Sequence, residues 1–103
     1  MSSKHAKSNT TSQDQRQKLA RKLSIVGDET RLNILCLLFS HEDHCVSQVA
    51  KLAGVSVSNA SYHLNTLADA ELCDRYRHQR TVCYVPRESQ LMDMLKHLVC
   101  TPF

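Results

Sequence analysis

Residues 55–67 read VSVSNASYHLNTL, and this stretch decides the fold. It follows Gly54, which can end a short helix in the left-handed conformation, and it contains Ser56 and Ser58, either of which can cap the next helix. The apolar positions recur at helical spacing and are Ala60, Leu64 and Leu67. A short helix, a tight turn and a second helix with a small, polar first turn predict a helix-turn-helix. The second helix of that motif can enter the major groove of DNA.

The whole chain has the size and composition of one small domain. It has 103 residues, of which 42% are hydrophobic, and a formal charge of +3, which permits nucleic-acid binding without requiring it. No apolar run could cross a bilayer and none follows the basic N-terminus, so we expect a cytoplasmic protein with no membrane partner. In a reducing compartment most of the five cysteines should be thiols, suited to redox sensing or metal binding rather than to stapling the fold.

The sequence on either side of residues 55–67 predicts further helices and a hairpin. Residues 1–10 are polar and basic, and we expect a flexible tail there, with one domain over residues 11–103. Residues 71–86 alternate in polarity and predict two strands around a tip at His78 and Gln79. The predicted helices cover residues 11–26, 29–40, 46 to about 54, 57–70 and 87–100.

Two surfaces of these elements indicate partners. The predicted hairpin carries three basic residues, Arg75, Arg77 and Arg80. This charge favours a wing that contacts DNA phosphates or the minor groove. A solvated basic hairpin is the alternative. The last helix carries a broad apolar face, too apolar for the solvent side of so small a domain. We expect that face to pack on the first helix across a dimer axis.

The order of these elements resembles the ArsR/SmtB family of small dimeric winged-helix repressors. The matching segments are GDETRL with Ile34 and Leu35, VSQVA at residues 46–50, VSVSNASYHL with Leu67, and the wing over residues 75–84. The resemblance covers about residues 18–100. It implies a mainly α winged helix-turn-helix of order α-α-α-α-β-β-α, a homodimer through its first and last helices, and a transcriptional repressor that binds a double-stranded DNA operator.

The resemblance also implies which side chains face DNA. In the predicted recognition helix they are Ser56, Ser58, Asn59, Ser61, Tyr62 and His63, joined by the three wing arginines. His63 has an alternative role, in which it orients the helix by hydrogen bonding. Val57 departs from the glutamine that the family commonly carries, and valine can only pack or touch a thymine methyl group. The operator sequence is therefore open.

Members of the family differ in what they sense. The placement of Cys36 and Cys100 in this sequence resembles that in the dithiol (BigR/SqrR/HlyU-like) branch. In that branch a cysteine of the second helix faces one of the last helix in the same subunit, and sulfane sulfur or an oxidant links them and weakens DNA binding. Two thiols within reach can form such a link. In the alternative interpretation Cys36 is a small core residue and Cys100 lies at a frayed terminus.

Metal sensing, with zinc as the cofactor, is the alternative within the family. His41, His44 and Cys45 lie in a dense polar loop where metal-sensing relatives begin a Cys-Val-Cys motif, although Ser47 replaces the second cysteine; a solvated loop is the other interpretation.

A second metal set has the spacing of one helix face and comprises Asp93, His97 and Cys100. Zinc-sensing relatives need a further Asp-x-His pair, where this chain has Tyr84 and Pro86.

The remaining cysteines and the other functional classes are weaker candidates. We interpret Cys73 and Cys83 as fillers of the wing strands. No phosphate-binding loop, carboxylate pair or complete metal motif supports an enzyme. An architectural DNA-binding protein without an effector is the alternative outside the sensor class.

Overall fold

The computed structural model describes residues 3–40 and 44–100, with side chains from residue 12 onward. Its order α-α-α-α-β-β-α confirms the predicted winged helix-turn-helix. The elements are α1 (Ser3–Val26), α2 (Glu29–Ser40), α3 (Val46–Ala53), α4 (Val57–Asp69), β1 (Cys73–His78), β2 (Thr81–Pro86) and α5 (Gln90–Cys100). Within these ranges, no helix combines the length and the apolar character that a bilayer crossing requires.

Helix α1 begins at Ser3, so the predicted boundary between residues 10 and 11 falls inside it. No glycine or proline interrupts the sequence between Ser3 and Val26, which leaves the backbone free to continue the helix. The helix ends at Val26, and the N–H of Gly27 donates the last helical hydrogen bond, to the carbonyl of Leu23 at 2.9 Å. Asp28 then caps α2, because its carboxylate accepts the N–H of Arg31 at 3.0 Å.

Helix α2 lies at the centre of the core, as its nearly all-round apolar sequence predicts. It contacts every other helix and β2. Ile34 and Leu35 are fully buried, and Met92 and Leu95 bring α5 into the same apolar cluster. The other fully buried large side chains include Val49, Leu64, Leu67 and Leu72. The helix-turn-helix and α5 therefore rest on one common helix.

Helix α5 begins three residues later than the predicted start at Arg87. Ser89 caps it by accepting the N–H of Met92 at 3.1 Å. Arg87 instead closes the base of the wing: its N–H donates to the carbonyl of Leu72 at 2.9 Å, and its guanidinium binds Asp74 at 2.6 Å. These contacts hold Arg87 in an extended segment, which a helix-period pattern in the sequence does not reveal.

The hairpin is antiparallel, with Tyr76 opposite Cys83 and His78 opposite Thr81. Its tip is therefore Gln79 and Arg80, one residue beyond the predicted tip, and Gln79 adopts a left-handed φ of 59°.

A disulfide joins Cys45, just before α3, to Cys83 in β2. The interpretation of Cys83 as a filler is wrong in this respect, since it is buried but covalently bonded. The expectation that the cysteines serve redox sensing or metal binding rather than stapling the fold is corrected for this pair, while the other three are thiols as expected. The free thiols of the described chain are Cys36, Cys73 and Cys100.

Candidate DNA interface and thiol pair

The turn between α3 and α4 is built as the sequence predicts. Gly54 has a φ of 70°, and the N–H of Val55 donates to the carbonyl of Ala50 at 3.0 Å, which closes the end of α3. Ser56 caps α4 by accepting the N–H of Asn59 at 3.0 Å. These bonds fix the angle at which α4 leaves the turn.

The first two turns of α4 present a polar surface. Ser56, Ser58 and Asn59 are exposed, and Tyr62 keeps 60% of its surface accessible. Ser61 and His63 are half-buried. Val57 is also exposed, at 56%, so it is available for contact with a thymine methyl group. The buried residues Ala60, Leu64 and Leu67 hold the opposite face of the helix on the core.

Arg31 of α2 anchors the recognition helix, and the sequence analysis missed it. Its Nε donates to Nδ1 of His63 at 3.1 Å, and its Nη1 donates to the carbonyl of Ile25 at 3.1 Å. The guanidinium also lies 5.8 Å from the ring centre of Tyr62, within the range of a cation–π contact. His63 is thus hydrogen-bonded inside the domain, the geometry that its orienting role requires.

Asn65 ties the wing to α4 and was also missed. Its Oδ1 accepts the hydroxyl of Tyr84 at 2.7 Å and Nε of Arg75 at 3.1 Å. Arg75 also binds Asp69 at 2.7 Å, so this wing arginine is engaged with the end of α4. Arg77 and Arg80 are exposed toward the tip of the hairpin.

Cys36 and Cys100 are brought together by the packing of α5 on α2. Their Sγ atoms lie 3.9 Å apart, and Ser40 Oγ lies 4.0 Å from the sulfur of Cys100. Burial, with the neighbouring Cys100 as a second cause, raises the pKa of the Cys36 thiol. Cys100 is exposed whereas Cys36 is half-buried, so a reagent in solution meets Cys100 first.

The predicted metal ligands have other contacts or do not converge. His41 lies outside the described residues. His44 Nε2 lies 2.7 Å from the carbonyl of Leu38, and Cys45 is bonded to Cys83, so this structure does not assemble them as a metal centre. Asp93 and His97 are exposed on α5 with Cys100. Among the side chains of residues 12–40 and 44–100, no group of three or more His, Cys, Asp or Glu could hold a metal ion.

Cys73 is a buried packing residue of the wing strand, as the sequence predicts. It is fully buried at the start of β1. Burial raises the pKa of its thiol to about 12, which keeps it protonated and unreactive at neutral pH.

Together, an exposed polar recognition helix, a fixed turn and a basic hairpin define a winged helix-turn-helix domain. Residues 28–74 match the model of the ArsR family of bacterial regulatory proteins. These residues are an ArsR-family helix-turn-helix domain.

Similar proteins include a curated regulator and two solved structures. The cadmium resistance transcriptional regulatory protein CadC of Listeria innocua is 28% identical over 72 residues, which cover 70% of this chain and 60% of that protein. The chain thus spans about 60% of this curated relative's length. HlyU from Vibrio cholerae N16961 superposes with a TM-score of 0.74 at 26% identity, over 82% of this chain and 90% of that one.

The second structure is a homodimeric winged helix-turn-helix DNA-binding domain from Mycobacterium bovis. It has a TM-score of 0.76 at 21% identity, with 84% of this chain and 80% of that one covered. At that identity the likeness concerns the fold alone.

Proposed function

We propose that the protein is a homodimeric transcriptional repressor whose binding to an operator is relieved when Cys36 and Cys100 become linked. The 3.9 Å separation of the two Sγ atoms carries the sensing part of this proposal. The exposed, capped start of α4 and the ArsR-family domain support the DNA-binding part. In this account α4 of each subunit enters one half of a pseudo-palindromic operator, and the wings flank it.

The apolar surfaces of α1 and α5 support the dimer. Leu19 and Leu23 of α1 are 43% and 46% exposed, and Met94 and Leu98 of α5 are 57% and 48% exposed. Four large apolar side chains on two helices are costly to leave in water, whereas a second copy can cover them. The mycobacterial domain, described as homodimeric, supplies a precedent for this fold.

The proposed chemistry begins at the more accessible thiol. With a polysulfide, the Cys100 thiolate attacks a terminal sulfur, a shorter polysulfide leaves, and Cys100 carries a persulfide. Cys36 then gives up its proton and attacks Sγ of Cys100, so that the outer sulfur leaves as hydrogen sulfide and a Cys36–Cys100 disulfide remains. If Cys100 instead attacks an internal sulfur of the polysulfide, it carries a longer sulfur chain. Attack by Cys36 on the sulfur next to Cys100 Sγ then expels the rest of that chain and leaves a trisulfide bridge. With peroxide, Cys100 forms a sulfenic acid, and attack by Cys36 releases water.

The link acts on DNA binding through α2. Closing the sulfur pair from 3.9 Å to the roughly 2 Å of an S–S bond draws the end of α5 toward α2. Helix α2 also contacts α4 and, through Arg31, holds His63 of the recognition helix. A shift of α2 and α5 therefore changes the spacing of the two recognition helices in the dimer. A coupling of roughly 1–3 kcal/mol would lower operator affinity about 5- to 150-fold.

The test uses an operator selected from a random duplex library with the protein in its thiol form. Wild type is then titrated with the selected duplex before and after polysulfide treatment, beside Cys36→Ser and, as a control, Cys73→Ala. We expect polysulfide to weaken wild type and Cys73→Ala by about 5- to 150-fold and to leave Cys36→Ser unchanged. A Cys36→Ser protein that responds like wild type would exclude the dithiol mechanism.

Two other results would redirect the assignment. Release of the duplex by zinc or cadmium rather than by polysulfide would support the metal-responsive alternative. Failure of the protein to enrich any duplex would contradict DNA binding itself.

A further inference from the structure

We infer that the Cys45–Cys83 disulfide is a second redox site, open to low-molecular-weight thiols, and that it sets how firmly the wing is held on the helix-turn-helix. The attachment of the wing by this bond does not depend on DNA. Its consequence for operator binding rests on the proposed function.

The bond lies where the wing meets the helix-turn-helix. Cys45 is the N-cap residue of α3, and its side chain makes no capping hydrogen bond. Cys83 lies in the middle of β2, opposite Tyr76 of β1. One covalent bond therefore connects the strand of the wing to the first helix of the DNA-binding motif.

Noncovalent contacts accompany the bond at this place. Cys45 and Cys83 form an isolated antiparallel bridge, and the N–H of Tyr84 donates to the carbonyl of His44 at 3.0 Å. The hydroxyl of Tyr84 also reaches Asn65 of α4 at 2.7 Å. An isolated bridge outside the regular strand pairing is the kind of local contact that can open without global unfolding. A crosslink placed on it should suppress that opening.

The two sulfurs differ in access, which gives the reaction a direction. Cys83 is 0% exposed, whereas Cys45 is half-buried beside a surface depression lined by Ser47, Tyr76 and His78. A thiolate entering there attacks the sulfur of Cys45, forms a mixed disulfide with it and expels Cys83, which takes up a proton. A second thiol then attacks the mixed disulfide, frees Cys45 as a thiol and leaves as the oxidised disulfide of the reagent.

This site lies apart from the Cys36–Cys100 pair, and oxidation has the opposite effect on DNA binding at the two sites. The first pair connects α2 with α5, and its oxidation releases DNA in the proposed function. The Cys45–Cys83 bond connects α3 with β2, and its reduction loosens the wing. Operator binding should then be strongest when Cys45 and Cys83 are bonded while Cys36 and Cys100 are thiols.

The experiment uses the full chain with Cys36→Ala and Cys100→Ala, so that the sensing pair takes no part. Peptide masses are read without reductant, before and after reduced glutathione, to establish the state of Cys45 and Cys83. Hydrogen exchange of the Tyr84 amide, which donates to His44, is followed in the same samples. We expect a Cys45–Cys83 link before treatment, and about tenfold faster exchange over β1 and β2 after it, with α2 unchanged.

Two further variants keep the test decisive. Adding Cys45→Ala should give the fast wing exchange with and without glutathione, while adding Cys73→Ala should leave the glutathione response intact. A protein whose Cys45 and Cys83 are both alkylated before any reductant would overturn the inference. So would a link that glutathione breaks without any change in wing exchange. Neither result would touch DNA binding or the Cys36 response.

For the DNA consequence, reduction should lower the affinity of the selected duplex about 3- to 10-fold and flatten its salt dependence. Unchanged affinity alongside faster wing exchange would separate the wing's attachment from operator binding and overturn that consequence.

Discussion

Cys36 of α2 and Cys100 at the end of α5 are 64 residues apart in the chain, yet their Sγ atoms lie within 3.9 Å. The two sulfurs meet because Met92 and Leu95 pack α5 against the apolar surface of α2. The pair therefore couples thiol chemistry to the central helix of the fold, which in turn supports the recognition helix.

The free thiols should react in the order of their exposure and pKa. Cys100 is exposed, burial raises the pKa of Cys36, and Cys73 is buried with a pKa of about 12. Cys73 therefore stays almost entirely protonated at pH 8. Brief treatment with iodoacetamide should therefore modify Cys100 first, Cys36 more slowly and Cys73 only after unfolding, as read by peptide mass. Equal labelling of Cys73 and Cys100 in the folded protein would contradict these environments.

The exposed wing arginines should bind phosphates. Arg77→Ala or Arg80→Ala should weaken binding to all duplexes and reduce the salt slope by about one per arginine. Lys96→Ala, which removes the same charge from α5, is the matched control and should change neither quantity much. An unchanged salt slope in both arginine variants would remove the wing from the interface.

The start of the recognition helix should read base edges. Asn59 is exposed one turn into α4, and Asn can bond adenine at two atoms. Asn59→Ala and Ser61→Ala should change which duplexes are enriched from a random library, with about 1–3 kcal/mol lost at the affected base pair. Uniform weakening on every sequence would instead assign these residues to backbone contact.

Arg31 should act as a positioning residue for the recognition helix. Arg31→Ala removes the bonds to His63 and Ile25 and should lower the free energy of unfolding by about 1–2 kcal/mol and DNA affinity about tenfold. Arg31→Lys keeps the charge but loses the guanidinium fork, so it should recover only part of the affinity. Denaturant unfolding and duplex titration measure the two effects. Full affinity in Arg31→Ala would exclude the positioning role.

Much of the fold could be predicted because it follows local patterns. The apolar period of α4, the left-handed Gly54 and the Ser56 cap are short-range features, and each forms where the sequence predicts it. The residues at which α1 and α5 begin were harder to predict from the sequence. The start of α1 depends on a polar segment whose composition favours a tail but which contains no glycine or proline. The start of α5 depends on Arg87 bonding to Leu72 and Asp74 across the base of the wing.

The site was harder to predict, since its supporting contacts join distant segments. Arg31 reaches His63 across 32 residues, and Asn65 receives Tyr84 across 19. The Cys45–Cys83 bond closes 38 residues, and two cysteines in a list of five do not reveal that pairing. The Cys36–Cys100 pair was predicted only through the family resemblance, because no sequence spacing places α5 beside α2.

The central claim is that Cys36 and Cys100 react with each other. The most direct test is to treat the thiol-form protein with polysulfide, with peroxide in parallel, and to read the masses of the peptides that contain Cys36 and Cys100. The account predicts one crosslinked species joining the two peptides, with added sulfur atoms after polysulfide if a sulfur bridge forms. Peptides that stay separate, with both thiols still free to alkylate, would contradict it.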